Sequence, residues 1–143
     1  MSAKNSLQFL DTNILVYAYD NSTGGKHEKA QELLDELWNS QSACVSIQVL
    51  EELYVTLTRK VAAPISSATA AEIIKDLAHF TVHAPGVDDL LDGILILQKY
   101  KINFWDAMII QSASASDCTV LWSEDLSAGQ DYQGVVVKNP FLD

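Results

Sequence analysis

Arginine is almost missing from this chain of 143 residues: Arg59 stands alone, and Lys and Arg together number 9 against 19 acidic residues, for a formal net charge of −10. A protein that grips nucleic acid through phosphate neutralisation should be basic, so adhesion through a broad cationic face is excluded. Any nucleic-acid contact must rest on a local patch or a bound cation, because the lysines fall only in small groups, Lys26/Lys29, Arg59/Lys60 and Lys99/Lys101. Cysteine is equally scarce. Cys44 and Cys118 are far apart and lie in apolar stretches, which reads as buried thiols in a reducing cytoplasm and excludes a disulfide scaffold. His27, His79 and His83 have no partners at zinc-ligand spacing. The longest apolar run, Ile14 to Tyr19, is far short of the roughly 20 residues of a membrane helix, and the opening MSAKNSLQFLDTN has no secretory apolar core, so the expectation is a cytoplasmic protein without a membrane association. The prolines Pro64, Pro85 and Pro140 stand at plausible element boundaries, and repeats and low-complexity tracts are lacking.

What is present is the composition of one globular domain, with 48% hydrophobic and 20% charged residues, and residues 1–143 are expected to form it. Leu7 to Leu10 reads as a buried strand and Thr12 to about Tyr19 as a helix. After Gly24 and Gly25 comes a second helix with Ala30, Leu33, Leu34, Leu37 and Trp38 at helical spacing. Ala43 to Ser46 is a strand whose Ser46 can cap a helix from Ile47 to Lys60. Ser66–His79, Val87–Tyr100 and about Asn103–Ser116 read as further helices, and Phe80–His83, Thr119–Trp122 and Val135–Val137 as strands. Strands alternating with helices imply an α/β domain with a mostly parallel sheet of about five strands. Such sheets bind ligands at the carboxyl ends of their strands, so acids at those ends matter most.

Asp11 follows the first strand immediately, although Asp before a helix is also ordinary capping chemistry. Glu51 and Glu52 flank the apolar stripe of their helix, and periodicity does not choose between them; alone, both read as solvated helix carboxylates. Asp106 lies three residues after Asn103, where a first-turn carboxylate suits the helix dipole and reciprocal capping, yet its neighbours Phe104, Trp105, Met108 and Ile109 are apolar. Asp125 follows the strand Thr119–Trp122, with Ser123 as a possible cap. A parallel sheet could gather such acids at one edge. Crowded carboxylates raise one another's pKa unless a cation intervenes, and ligand sets of oxygen alone select Mg²⁺ or Mn²⁺ over zinc.

The segments FLDTNILVYAYD, SIQVLEELYVTLTRK, NFWDAMIIQSA and LWSEDLSAGQ, followed by VKNPF, resemble in order and spacing the PIN-domain nucleases, and within them the VapC-like toxins of toxin–antitoxin pairs. The resemblance covers nearly the whole chain and implies a PIN-like three-layer α/β/α sandwich. It implies a Mg²⁺ or Mn²⁺ site at Asp11, Glu52, Asp106 and Asp125, and it selects Glu52 over Glu51. It makes Asn13 and Ser123 candidates for orienting ligands or water, with Asp131 or Glu124 as further carboxylates to weigh. It implies endonucleolytic cleavage of RNA leaving 5′-phosphate and 3′-hydroxyl ends, a homodimer, and a cognate antitoxin whose peptide covers the site. A basic partner segment, with an arginine among the carboxylates, also fits the charge of −10. The alternative is a catalytically inactive PIN-like module that binds RNA or protein. A haloacid-dehalogenase-like phosphatase would need a second Asp two positions after Asp11, where Asn13 stands.

Overall fold

The computed structural model describes residues 6–142. Strands β1 (Gln8–Leu10), β2 (Ala43–Ser46), β3 (Thr81–His83), β4 (Val120–Trp122), β5 (Asp131–Tyr132) and β6 (Val135–Lys138) form one sheet in the order β3-β2-β1-β4-β6-β5. All pairings are parallel except that of β5 with β6. The helices are α1 (Thr12–Tyr19), α2 (Gly25–Ser40), α3 (Ile47–Arg59), α4 (Ser67–Leu77), α5 (Val87–Tyr100) and α6 (Phe104–Ala115). Together they make the α/β/α sandwich with a central, mostly parallel sheet.

The central strands are short and buried on both faces, which is why they read as apolar runs without alternation. Phe9, Leu10, Cys44, Val45 and Leu121 are each fully buried. Helix α6 is the central one. It packs against β2, β4 and β6 and takes α5 on its outside, while α1 packs with α2 and α3, and α3 with α4. Accordingly α6 is buried nearly all round from Ala107 to Ala113 and has no amphipathic stripe. At Gly93 the α5–α6 contact is so close that an added Cβ would stand 2.3 Å from Met108 Sδ. Both cysteines are free and buried.

Element by element, the expected strands and helices are present, with ends displaced by a residue or two. Ser66 and Asn103 stand outside their helices as N-caps, and Phe80 precedes its strand. The sixth strand, β5, lies beyond the expected set because two residues carry no periodicity. It is paired by a tight turn at Gln133 and Gly134, whose φ values are 56° and 86°. Among the described residues no helix is long and apolar enough to cross a membrane.

Candidate functional site

The register of β1 and β4 aligns Leu10 with Trp122, so the next residue of each strand, Asp11 and Ser123, emerges side by side at the sheet's carboxyl edge. Two hydrogen bonds fix that junction. Asp11 N donates to Trp122 O at 3.0 Å, and Ser123 Oγ donates to Asp11 Oδ2 at 2.8 Å. Asp11 is also the N-cap of α1, its Oδ1 accepting from Thr12 N at 2.7 Å. The capping and edge-of-sheet readings of this residue therefore describe one geometry. Ser123 is fully buried, and its Oγ accepts from the backbone N–H of Asp125 at 3.1 Å and of Leu126 at 3.3 Å, which turns the chain so that Asp125 faces the α1 N-terminus.

The other acids arrive by the same local rules. Ser46, the last residue of β2, caps α3 through Val49 N at 3.3 Å and so starts the helix that carries Glu52 in its second turn. Glu52 Oε1 accepts from Thr12 Oγ1 at 2.8 Å, and Asp125 Oδ2 accepts from Asn13 Nδ2 at 3.0 Å. Consecutive residues of α1 thus hold one carboxylate each. Asp106 is half-buried in the first turn of α6, where Asn103 Oδ1 accepts from Asp106 N at 2.8 Å and Asn103 Nδ2 donates to Asp106 Oδ2 at 2.7 Å.

The electrostatics register how near these charges are. Burial pushes Asp11 from an ordinary 3.8 up to about 6; the bonds from Ser123 and Thr12 pull it down, and the Asp125 and Glu52 charges push it further up. Burial likewise raises Asp106, opposed by Asn103 and reinforced by Asp125. Glu124 is occupied elsewhere. It accepts from Tyr17 Oη at 2.6 Å and pairs with Lys26, and these contacts outweigh burial to hold its pKa low. Asp131 is exposed on β5, where its Oδ1 accepts from Gly134 N at 2.8 Å; it pairs with Val136, which aligns with Val120 at the opposite end of β4 from Asp125.

An open cleft of about 660 Å³ runs over this edge, lined by Thr12, Asn13 and Tyr17 of α1, by Gln48, Glu51, Glu52, Thr56 and Lys60 along α3, and by Trp105 and Asp125. Of the four acids Glu52 and Asp125 line it, whereas Asp11, which is buried, and Asp106 do not. As the side chains stand, no three His, Cys, Asp or Glu residues among the described residues group closely enough to hold an ion. The hydroxyl of Thr12 and the amide of Asn13 engage Glu52 and Asp125 instead. In donor chemistry the edge suits a hard divalent cation, since it offers carboxylate oxygen, a buried acid with a raised pKa, and no nitrogen or sulfur ligand. The reciprocal capping expected of Asn103 and Asp106 is present, and Thr12, in its bond to Glu52, is the contributor that sequence reasoning passed over. The position of Thr12 beside an acid was visible, but its partner, forty residues on, was not.

The model of the PIN domain matches residues 9–128 of this chain. The chain belongs to the PIN domain family. Among solved structures the PIN chain is similar to a toxin–antitoxin complex from Klebsiella pneumoniae, at 22% identity and a TM-score of 0.68, covering 94% of this chain and 98% of that one. It is similar also to VapC20 of Mycobacterium tuberculosis, a toxin that cleaves the sarcin–ricin loop, at 20% identity and a TM-score of 0.64, covering 82% and 91% respectively. A third is VapBC2 of Rickettsia felis bound to a DNA fragment from its promoter, at 18% identity and a TM-score of 0.66, covering 93% and 98%. At such identities these structures establish the fold. No curated protein matches the chain by sequence.

Proposed function

We infer that this PIN domain is a divalent-metal-dependent endoribonuclease, the toxin of a toxin–antitoxin pair, with Asp11, Glu52, Asp106 and Asp125 as its metal-holding acids. The observation that carries the reading is Asp11: a buried carboxylate at the sheet's carboxyl edge, hydrogen-bonded to Ser123 and Thr12, whose pKa is raised by burial and then by Asp125 and Glu52, the two acids that line the open cleft. Concentrating negative charge there disfavours the fold unless a cation joins it. Mg²⁺ or Mn²⁺ held there supplies Lewis acidity toward a phosphodiester and a nucleophilic water near neutral pH.

The chain's own residues have distinct tasks. Asp11 is fixed through Ser123 and Thr12 and would hold the cation together with Glu52 and Asp125, which Thr12 and Asn13 now position. Asn13, which lines the cleft, would orient water or a phosphate oxygen there. Asp106 adds the fourth carboxylate, its direction set by Asn103. No side-chain nucleophile is needed, and the products carry 5′-phosphate and 3′-hydroxyl ends.

By the same reading, residues 1–143 act in the cytoplasm as a single domain and a homodimer, and a cognate antitoxin covers the cleft. The toxin–antitoxin complex from Klebsiella pneumoniae and VapBC2 of Rickettsia felis supply the analogy for the antitoxin.

A second reading, a PIN module that binds RNA or protein without cutting, is favoured by one observation: Glu52 and Asp125 are satisfied by neighbouring polar groups as they stand. The two readings part on one variant. Asp106→Asn should abolish Mg²⁺- or Mn²⁺-dependent RNA cleavage while leaving the thermal transition in EDTA in place. Cleavage at the wild-type rate in that variant would refute the nuclease assignment, and wild-type protein that binds RNA yet never cuts it would establish the second reading.

A further inference from the structure

An indole is an unusual thing to leave facing an acid-lined cleft. Trp105 is 61% exposed, although the residues that follow it in α6 are almost all buried. Its position is set on both sides: Gln48 Nε2 donates to its carbonyl at 3.3 Å, and the Phe104 ring meets it edge-on, with centroids 4.8 Å apart and planes at 78°. It lines the same cleft as Glu52 and Asp125 and immediately precedes Asp106 in the chain.

The α3 wall gives the cleft a direction. Gln48, Glu52, Thr56 and Lys60 succeed one another at intervals of four residues, so each stands about 6 Å further along the helix axis. Gln48, tied to Trp105, marks one end. Lys60 marks the other, about 12 Å beyond Glu52, and among the described residues it has no carboxylate partner. A ligand spanning this row meets an exposed aromatic face, then the carboxylates, then a free ammonium. Single-stranded nucleic acid has the complementary order, with a π-faced base, a phosphodiester that brings its own cation to the acids, and a further phosphate. An arginine-bearing peptide would suit the aromatic and the acids but would be repelled at Lys60.

Resting on the ribonuclease reading above, we propose that Trp105 is the platform on which a nucleobase adjoining the scissile phosphodiester stacks, with Lys60 meeting a phosphate further along the strand. Because the net charge of −10 opposes polyanion binding, this single stacking contact carries a large share of the affinity. Stacking tolerates any base, so Trp105 fixes the register of the strand in the cleft and leaves sequence preference to other groups.

The test pairs a protein change with a substrate change. Short labelled single-stranded RNA oligomers, each with one base replaced by an abasic residue, are bound to wild type, Trp105→Phe and Trp105→Ala in Mg²⁺ by fluorescence anisotropy, and cleavage of the same oligomers is followed on gels. For wild type, one abasic position should weaken binding by about five- to a hundredfold, the scale of one base–aromatic stack. In Trp105→Ala that position should lose its special effect, and Trp105→Phe should fall between, with unchanged thermal transitions certifying the fold. Binding unaffected by Trp105→Ala, or an abasic penalty that persists in it, overturns the proposal even when the RNA is cut, and hydrolysis then stands alone. Coupling without any cleavage supports the platform and removes the nuclease reading. No RNA binding at all, or a Trp105→Ala defect confined to an arginine-bearing peptide probe, overturns the platform in favour of a protein occupant.

Discussion

Replacing Asp11 by Asn should make the metal-free protein gain stability relative to wild type as pH rises. Burial, with the Asp125 and Glu52 charges behind it, lifts the Asp11 pKa from 3.8 to about 6. The folded chain therefore binds that proton more tightly than the unfolded chain does, and the contribution of Asp11 to stability is greatest below pH 3.8 and lost as pH rises through about 6. The full displacement corresponds to about 3 kcal/mol, of which about 1 kcal/mol is already lost at pH 4.5 and nearly all by pH 8. The amide itself carries a cost independent of pH. Ser123 Oγ already accepts two backbone N–H groups and donates to Asp11, so an Asn Nδ2 in its place would compete for an occupied hydroxyl. The diagnostic quantity is thus the change with pH: the variant should gain about 2 kcal/mol relative to wild type between pH 4.5 and pH 8. Urea unfolding followed by circular dichroism in EDTA at both pH values measures it, and the matching gain in Tm is about 4–8 °C for a chain of this size. Adding Mg²⁺ at pH 8 should raise the stability of wild type and leave the variant where it was. Parallel pH profiles for the two proteins would refute the reasoning, because they would mean that Asp11 ionises in the fold as freely as in the unfolded chain.

Three further changes test the construction of the site and its support. Ser123→Ala should destabilise the protein by about 1–3 kcal/mol, measured by chemical denaturation, since it strands a buried carboxylate oxygen and the N–H groups of Asp125 and Leu126. Asn103→Ala should cost about 1 kcal/mol as a lost helix cap, and should shift Asp106, followed by carboxyl NMR, to a higher pKa by removing the hydrogen bond that opposes burial. Gly93→Ala should destabilise by about 1–3 kcal/mol despite alanine's better helix propensity, because its Cβ would meet Met108 Sδ, and Met108→Ala in the same chain should recover part of the loss.

How much of this was readable in the chain differs from residue to residue. Asp11 and Ser123 each follow an apolar strand, and a parallel sheet puts both at one edge, so their approach was foreseeable from pattern and topology. Glu52 was not: it and Glu51 stand on opposite flanks of the apolar stripe of α3, and Glu52 is singled out by the Thr12 hydroxyl, a contact made across the fold to which periodicity is blind. The family resemblance had favoured Glu52 without supplying that contact. Tyr17 and Lys26 claim Glu124, and this too depends on α1 meeting the loop after β4. The hairpin at Gln133 and Gly134 escaped notice because a two-residue strand has too little sequence to show a period. Trp105 read as part of an apolar helix start, and only the packed structure leaves its ring outside the core.

The claim on which the rest depends is that Asp11, Glu52, Asp106 and Asp125 together hold one or two divalent cations. Crystals soaked in Mn²⁺ and recorded at the manganese absorption edge test it directly. The account predicts an anomalous peak among these carboxylates, with Glu52 turned away from Thr12 and Asp125 from Asn13. Side chains unmoved from their hydroxyl and amide partners, with no anomalous density between them in a crystal that binds Mn²⁺ elsewhere, would contradict it.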